Sequence, residues 1–328
     1  MKHLQNLRAL AAAGGLLILI FDSRIVVDGA KSGIELCVKT VIPSLFPFLI
    51  LTAVITRSIN TTQIAGLSQV IKALGIPAGA SGILIPAFLG GYPIGAKSAG
   101  ELFRRNQISK DDAERLLAFC SNAGPSFLFG MVAMFFSDTK TVFGLWLIHV
   151  TGAVLTSLSF PAGTTKYVSP NTIHTETSEA DVMLSSSKAM AVICGWVILF
   201  RIIVSFLQAW FLWCFPDWLQ VLVIGICELS NGCSELLLIQ DEKIRFIICS
   251  CMLAFGGICV FLQTVSVTSG LSLRYYIRGK LLQTLFCFLL SCAAVTKQRL
   301  LFLSVIPLLL AISRKLKNRG SIPVSFPV

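Results

Sequence analysis

The sequence predicts an all-α fold: a polytopic helical membrane protein, arranged as two inverted repeats with re-entrant helical hairpins. Three observations carry this reading. The 328 residues are 55% hydrophobic and only 13% charged, with mean hydropathy +0.81, whereas soluble domains are about one quarter charged. Several apolar runs are long enough to cross a bilayer, which takes about 20 residues, and they are continuous rather than alternating, unlike a β-barrel. Glycine- and proline-broken stretches occur in both halves, on either side of a polar midpoint, which is the expected mark of an inverted-repeat transporter.

The elements follow in order. Lys2 and Arg8 precede the run Ala9–Phe21 as in a signal peptide. Asp22, Ser23 and Arg24 follow it without a small-residue cleavage site, so an uncleaved membrane helix over residues 1–30 is expected. A first gate-type repeat is expected over residues 31–163. It begins with Gly33–Ile55, where Pro43 and Pro47 should kink or split a helix. Val70–Ala96 carries Gly75, Pro77, Gly79, Gly82, Pro86, Gly90, Gly91, Pro93 and Gly95. That spacing suits a re-entrant hairpin or two half-helices. Ser109 and Asp112 form a capping-box-like start to a surface helix, with Ala113, Leu116, Leu117 and Cys120 on one face. Ser121–Ser126 breaks the chain again, and Pro125 is placed to open the next helix. Val142–Phe160 is a further apolar segment.

Residues 164–187 read as a polar linker, rich in Ser and Thr. The second gate-type repeat spans 188–296, with apolar segments resuming at Ala189. Lys39–Ile55 matches Lys188–Val204 in pattern, and Phe88–Gly91 is echoed by Ala254–Gly257. A C-terminal helix and basic tail, 297–328, end the chain. Its Arg314–Arg319 cluster places the C-terminus in the cytoplasm.

The formal charge is +11. Its basic residues sit mostly in short loops and the tail, which fits the positive-inside rule and anionic lipid head groups. No aromatic-interleaved basic patch is present, so the expected partners are the lipid bilayer and a small-molecule solute, not nucleic acid. The eleven cysteines lie mostly in apolar runs, with no CxxC and no Cys/His cluster of zinc spacing. They read as small buried hydrophobes, and neither a metal nor a cofactor is expected. GxSxG and HExxH are absent too, so no catalytic residues are assigned and an enzyme is not expected.

Several constellations could bind a solute. Gly90-x4-Gly95-Ala96-Lys97-Ser98 is one residue from a nucleotide phosphate loop, but lysine does not follow glycine directly and no α/β context surrounds it. What remains is physical. Gly90, Gly91 and Gly95 permit close backbone approach beside Tyr92, and a new helix start with Lys97 would favour an anion. The alternative is that Lys97 snorkels to the interface. Ser121 and Asn122 offer polar groups at a break, as pore lining or as a cap. Glu228, Ser230 and Asn231 lie between apolar stretches, and Glu228 is a candidate proton or cation site or a solvated loop residue. Glu235 would share its face only if a helix ran through Gly232. Gly256-Gly257 with Gln263, Thr264 and Ser266 forms another broken segment, whose side chains could bond a solute or their own backbone. His149, alone in its run, reads as a packing or interhelical residue.

Pro43–Phe48, Gly90–Lys97, Glu114–Asn122 with Gly124–Gly130, and Glu228–Gly232 together resemble the YlbJ-type sporulation integral membrane proteins. These belong to the group with the nucleoside-recognition gate domain, shared with concentrative nucleoside transporters and the ferrous-iron transporter FeoB. The resemblance covers about Gly33 to Leu290. It implies paired re-entrant hairpins around a central solute site. It also implies movement of dipicolinate, or a nucleoside-like solute, across a bacterial cell or forespore membrane. FeoB's GTPase domain has no counterpart here. A non-transporting assembly or signalling subunit of the sporulation machinery is the alternative, and a homo-oligomer or partnership with sporulation membrane proteins is compatible with either.

Overall fold

The computed structural model describes residues 14–15, 20–58, 67–163, 178–296 and 310. Most of the expected first helix, linker residues 164–177, and the C-terminal helix and tail apart from residue 310 lie outside the described residues. Helix α1 (Ser23–Leu36) passes through a π-helical turn (Cys37–Val41) into α2 (Ile42–Ser58). The prolines do not split this helix. The Ile42 N–H reaches back to the Cys37 carbonyl, and that widened turn precedes Pro43, absorbing the bond a proline cannot make.

The punctuated stretch is broken as expected. Helix α3 (Leu67–Ala73) ends near Gly75 at φ +65°, and a 3-10 turn (Ala78–Ile83) leads into α4 (Leu84–Phe88). The chain then turns at residues 89–93, and α5 (Ile94–Arg104) packs back on α4. Helix α6 (Lys110–Leu116) starts at Ser109, whose Oγ accepts from the Asp112 N–H at 3.2 Å. A second break follows at Ser121–Gly124, and Pro125 opens the next helical stretch, π-helical over Phe127–Met131 and 3-10 over Val132–Phe135. Helix α7 (Thr139–Leu158) closes this half.

Helix α8 (Glu179–Trp210) begins well ahead of the expected Ala189, inside the segment read as linker. Ser178 and Asp181 form a reciprocal capping box, which satisfies the first-turn donors and carries the helix out through polar residues. A 3-10 turn (Leu212–Cys214) precedes α9 (Asp217–Cys227), and α10 (Leu229–Ser234) folds back on α9. A 3-10 turn (Leu236–Leu238), α11 (Glu242–Phe255), α12 (Gly257–Val267) and α13 (Arg274–Val295) complete the described chain. The breaks of the described chain that concern the site fall at 89–93, at 121–124, at Cys227–Glu228 and at Gly256–Gly257.

Five described segments are long and apolar enough to cross a membrane: Ser23–Leu51, Thr139–Leu158, Glu179–Trp210, Glu242–Val267 and Arg274–Val295. Their outer faces are apolar, with Val192, Leu199 and Ile203 exposed on α8 and Leu281, Leu285 and Phe288 on α13. Trp210, Trp213 and Trp218 are exposed around the turn from α8 to α9, a position where tryptophans meet the interfacial layer of a bilayer. Helix α13 buries Lys280, Gln283 and Ser291 alongside Phe286, Cys287 and Leu290 against α7 and α11, and turns Leu281, Leu285 and Phe288 outward.

With no apolar driving force between helices in lipid, close backbone packing holds them together, and small residues permit it. Helix α1 meets α8 through Gly29 and Gly33, spaced as GxxxG. A Cβ at Gly33 would lie 2.9 Å from Ile198 Cα, whereas one at Gly195, on α8, would meet nothing within 4 Å. Gly33→Ala is expected to lower the melting temperature in detergent, by the equivalent of about 1–3 kcal/mol of overpacking. Gly195→Ala should leave it unchanged or raise it through helix propensity, worth up to about 1 kcal/mol. Thermal unfolding of the two variants side by side checks this.

Candidate functional site

A helix end leaves backbone groups without intrahelical partners, and in an apolar molecule these must be satisfied locally. Here the interrupted helices bring such ends together. Three of the breaks surround a narrow cavity of about 50 Å³, lined by Gly90, Gly91 and Tyr92 of the first, Gly124 and Ser126 of the second, and Glu228 and Ser230 of the third, with Gln263 from α12. The first two loops lie backbone against backbone. Gly91 has φ +75°, and a Cβ on Gly124 would lie 3.0 Å from the Gly91 nitrogen.

Glu228 is the carboxylate of this cavity and is 3% exposed. It caps α10, its Oε2 accepting from the Asn231 backbone N–H at 2.7 Å and from Asn231 Nδ2 at 2.9 Å. Asn231 Nδ2 also reaches the Val197 carbonyl on α8 at 3.3 Å. Helix α10 does run through Gly232, but Glu235 serves a different purpose. It pairs with Arg201 Nη1 at 2.8 Å, and Arg201 Nε donates to Ser32 Oγ at 3.1 Å, joining α1, α8 and the end of α10.

A second, wider cavity of about 380 Å³ adjoins the first, sharing Leu49, Ile193 and Gln263 with it. Lys97 and Lys188 stand in its walls with Ser185, Ser186 and Ser266. Lys97 Nζ lies 3.9 Å from Glu101, and its side chain is half exposed. Ser266 Oγ donates to the Gln263 carbonyl at 2.7 Å, and Gln263 Nε2 points to Cys259 Sγ at 3.3 Å.

The expected residues therefore divide. Gly90, Gly91, Tyr92, Glu228 and Ser230 line the inner cavity, Lys97 and Ser266 the outer one, and Gln263 both. Gly95 is a packing glycine, since a Cβ there would run into the Cys120 carbonyl. Ser121, Asn122 and Asn231 are buried and hold the breaks from behind. His149 Nε2 accepts from the Ala123 N–H at 3.2 Å, tying α7 to the second break as an interhelical contact.

Behind the inner cavity sits a residue that sequence reasoning missed. Lys280 of α13 is 2% exposed. Its ammonium donates to the Ser121 carbonyl, to Tyr92 Oη at 3.0 Å, to Gln283 Oε1 at 3.2 Å and to the Ala254 carbonyl at 3.3 Å. Tyr92 Oη in turn donates to the Leu253 carbonyl at 2.8 Å. Gln283 Nε2 donates to Asn122 Oδ1 at 3.0 Å, and Asn122 Nδ2 donates to the carbonyls of Phe119 at 2.8 Å and Ala87 at 3.1 Å. One chain of bonds thus joins three breaks to α13. The available signal was the recurrence of Lys280, Gln283 and Thr284 three to four residues apart at the start of an otherwise apolar run, which puts them on one helix face. A double-mutant cycle on Asn122→Ala and Gln283→Ala should give a coupling of about 1 kcal/mol in thermal stability. Additive effects would mean that the two amides act separately.

No protein-family model matches the chain, and no solved structure matches it. The chain is similar to the sporulation integral membrane protein YlbJ of Bacillus subtilis strain 168. The two are 25% identical over 309 residues, which take in 79% of this chain and 75% of that protein. This similarity supports the resemblance carried by the broken segments, and with the five apolar spans it marks the chain as an integral membrane protein similar to YlbJ.

Proposed function

We propose that the protein is a transporter or channel for a small polar, anionic solute. The observation that supports this most is the pair of adjoining cavities: a wide outer one with Lys97 and Lys188 in its walls, and a narrow inner one floored by three chain breaks. A scaffold has no need for broken backbone at that depth, whereas a solute path needs its exposed N–H and carbonyl groups. The two lysines would draw an anion into the outer cavity. Glu228, Ser230 and Gln263 would then meet it at the constriction, where a carboxylate favours a solute that arrives with a proton to share. The relative's name adds a setting in sporulation. With the family resemblance, that makes dipicolinate, a small aromatic dicarboxylate, the first solute to test, and a nucleoside-like solute the second.

The experiment is uptake of labelled dipicolinate into proteoliposomes. Lys97→Ala and Lys188→Ala should each reduce uptake about fivefold at low salt, the equivalent of roughly 1 kcal/mol for a partly exposed charge, and the deficit should shrink at high salt. Asn122→Ala should lower the maximal rate without salt dependence. Glu228→Gln should shift the pH dependence of uptake. No uptake by the unaltered protein, or uptake indifferent to all four changes, would favour the non-transporting assembly or signalling subunit.

A further inference from the structure

Lys280 is a buried cation without a counter-ion. Among the described residues no carboxylate lies within ion-pair distance of it, and all four of its hydrogen-bond acceptors are neutral oxygens. Removing an ammonium from water costs several kcal/mol unless the surroundings replace the hydration shell. Here they do so with carbonyl dipoles. Ala254 belongs to the last turn of α11, whose carbonyl end carries partial negative charge, and Ser121 lies five residues past α6, in the second break.

Carbonyls at half-helix C-termini, completed by a side-chain amide and a hydroxyl, are the coordination that unwound membrane helices offer to a free monovalent cation. The hydrogen-bond directions agree. Tyr92 Oη spends its proton on Leu253, and the Gln283 amide nitrogen is spent on Asn122, so both oxygens are free to face a cation. We infer that the Lys280 ammonium is a tethered stand-in for a free monovalent cation: it permanently fills an oxygen-lined cation site at the meeting point of the chain breaks. The breaks are then held in register without sodium, potassium or ammonium from solution. Shortening the side chain should open the site to such an ion.

The test uses the full chain in detergent, with choline chloride holding ionic strength constant. Lys280→Ala should melt about 5–10 °C lower than the unaltered protein, as expected when several buried carbonyls lose their donor. Adding sodium, potassium or ammonium chloride in place of choline should restore part of that loss, saturably and with a preference among the three. Lys280→Met fills the same space without charge. It should melt below the unaltered protein and respond to none of the salts. The unaltered protein should be equally stable in choline and in the three test salts. The inference is overturned if Lys280→Ala responds to all four salts alike, or if it cannot be recovered folded in any of them. It is also overturned if Lys280→Met is as stable as the unaltered protein, or if the unaltered protein itself requires one of the cations. Because stability is read without any solute, failure here is distinct from failure of the transport reading.

Discussion

The constraint on which the rest of this structure depends is the satisfaction of backbone carbonyls where helices stop inside an apolar molecule. Each interrupted helix buys an exposed turn at depth, and each leaves carbonyl oxygens that water cannot reach. Lys280 answers that need for the end of α11 and for the Ser121 carbonyl in the second break, and the Gln283–Asn122 relay extends the answer to the carbonyls of Phe119 and Ala87. With the rear of the breaks satisfied this way, their front faces are left to line the cavity. The same logic appears on the other side, where Glu228 caps α10 and Asn231 ties that cap to α8.

The glycines complete this arrangement by letting main chains touch. Gly91 and Gly124 bring two loops into backbone contact, Gly225 and Gly232 do the same for α9 and α10, and Gly279 lets α13 approach the Ala118 backbone. This last contact sits one residue from Lys280, so the close approach sets the ammonium's depth. The polar network and the glycine packing are therefore one device seen from two sides.

Much of the architecture was readable from residues with a strong local effect. Pro125 opens a helical stretch, Ser109 caps α6, and the glycines and prolines of 75–95 divide their segment into short pieces, because each acts on its own backbone. What escaped was whatever depended on partners. Lys280 and Gln283 look like the polar fringe of an apolar run until α6 and α11 are brought against them. The start of α8 was hidden because its capping box lies among serines, threonines and acids that read as linker. The prolines of α2 disrupt the regular helix without splitting it, since the π turn ahead of Pro43 keeps the chain helical. At the site, the groups lining the inner cavity were visible as polar residues beside breaks. Their division between two cavities was not, because it follows from which breaks meet in space.

The exposed tryptophans around the turn from α8 to α9 also provide a ruler. If Trp210, Trp213 and Trp218 rest in the head-group layer, α9 descends from that level along its eleven residues before the chain reverses at Glu228. Eleven residues of α-helix cover about 16 Å, close to half of a hydrocarbon core about 30 Å thick. That sets the Glu228 carboxylate near the bilayer midplane, equally far from both aqueous phases. A residue at that depth is the natural dividing line between a path reached from one side and a path reached from the other.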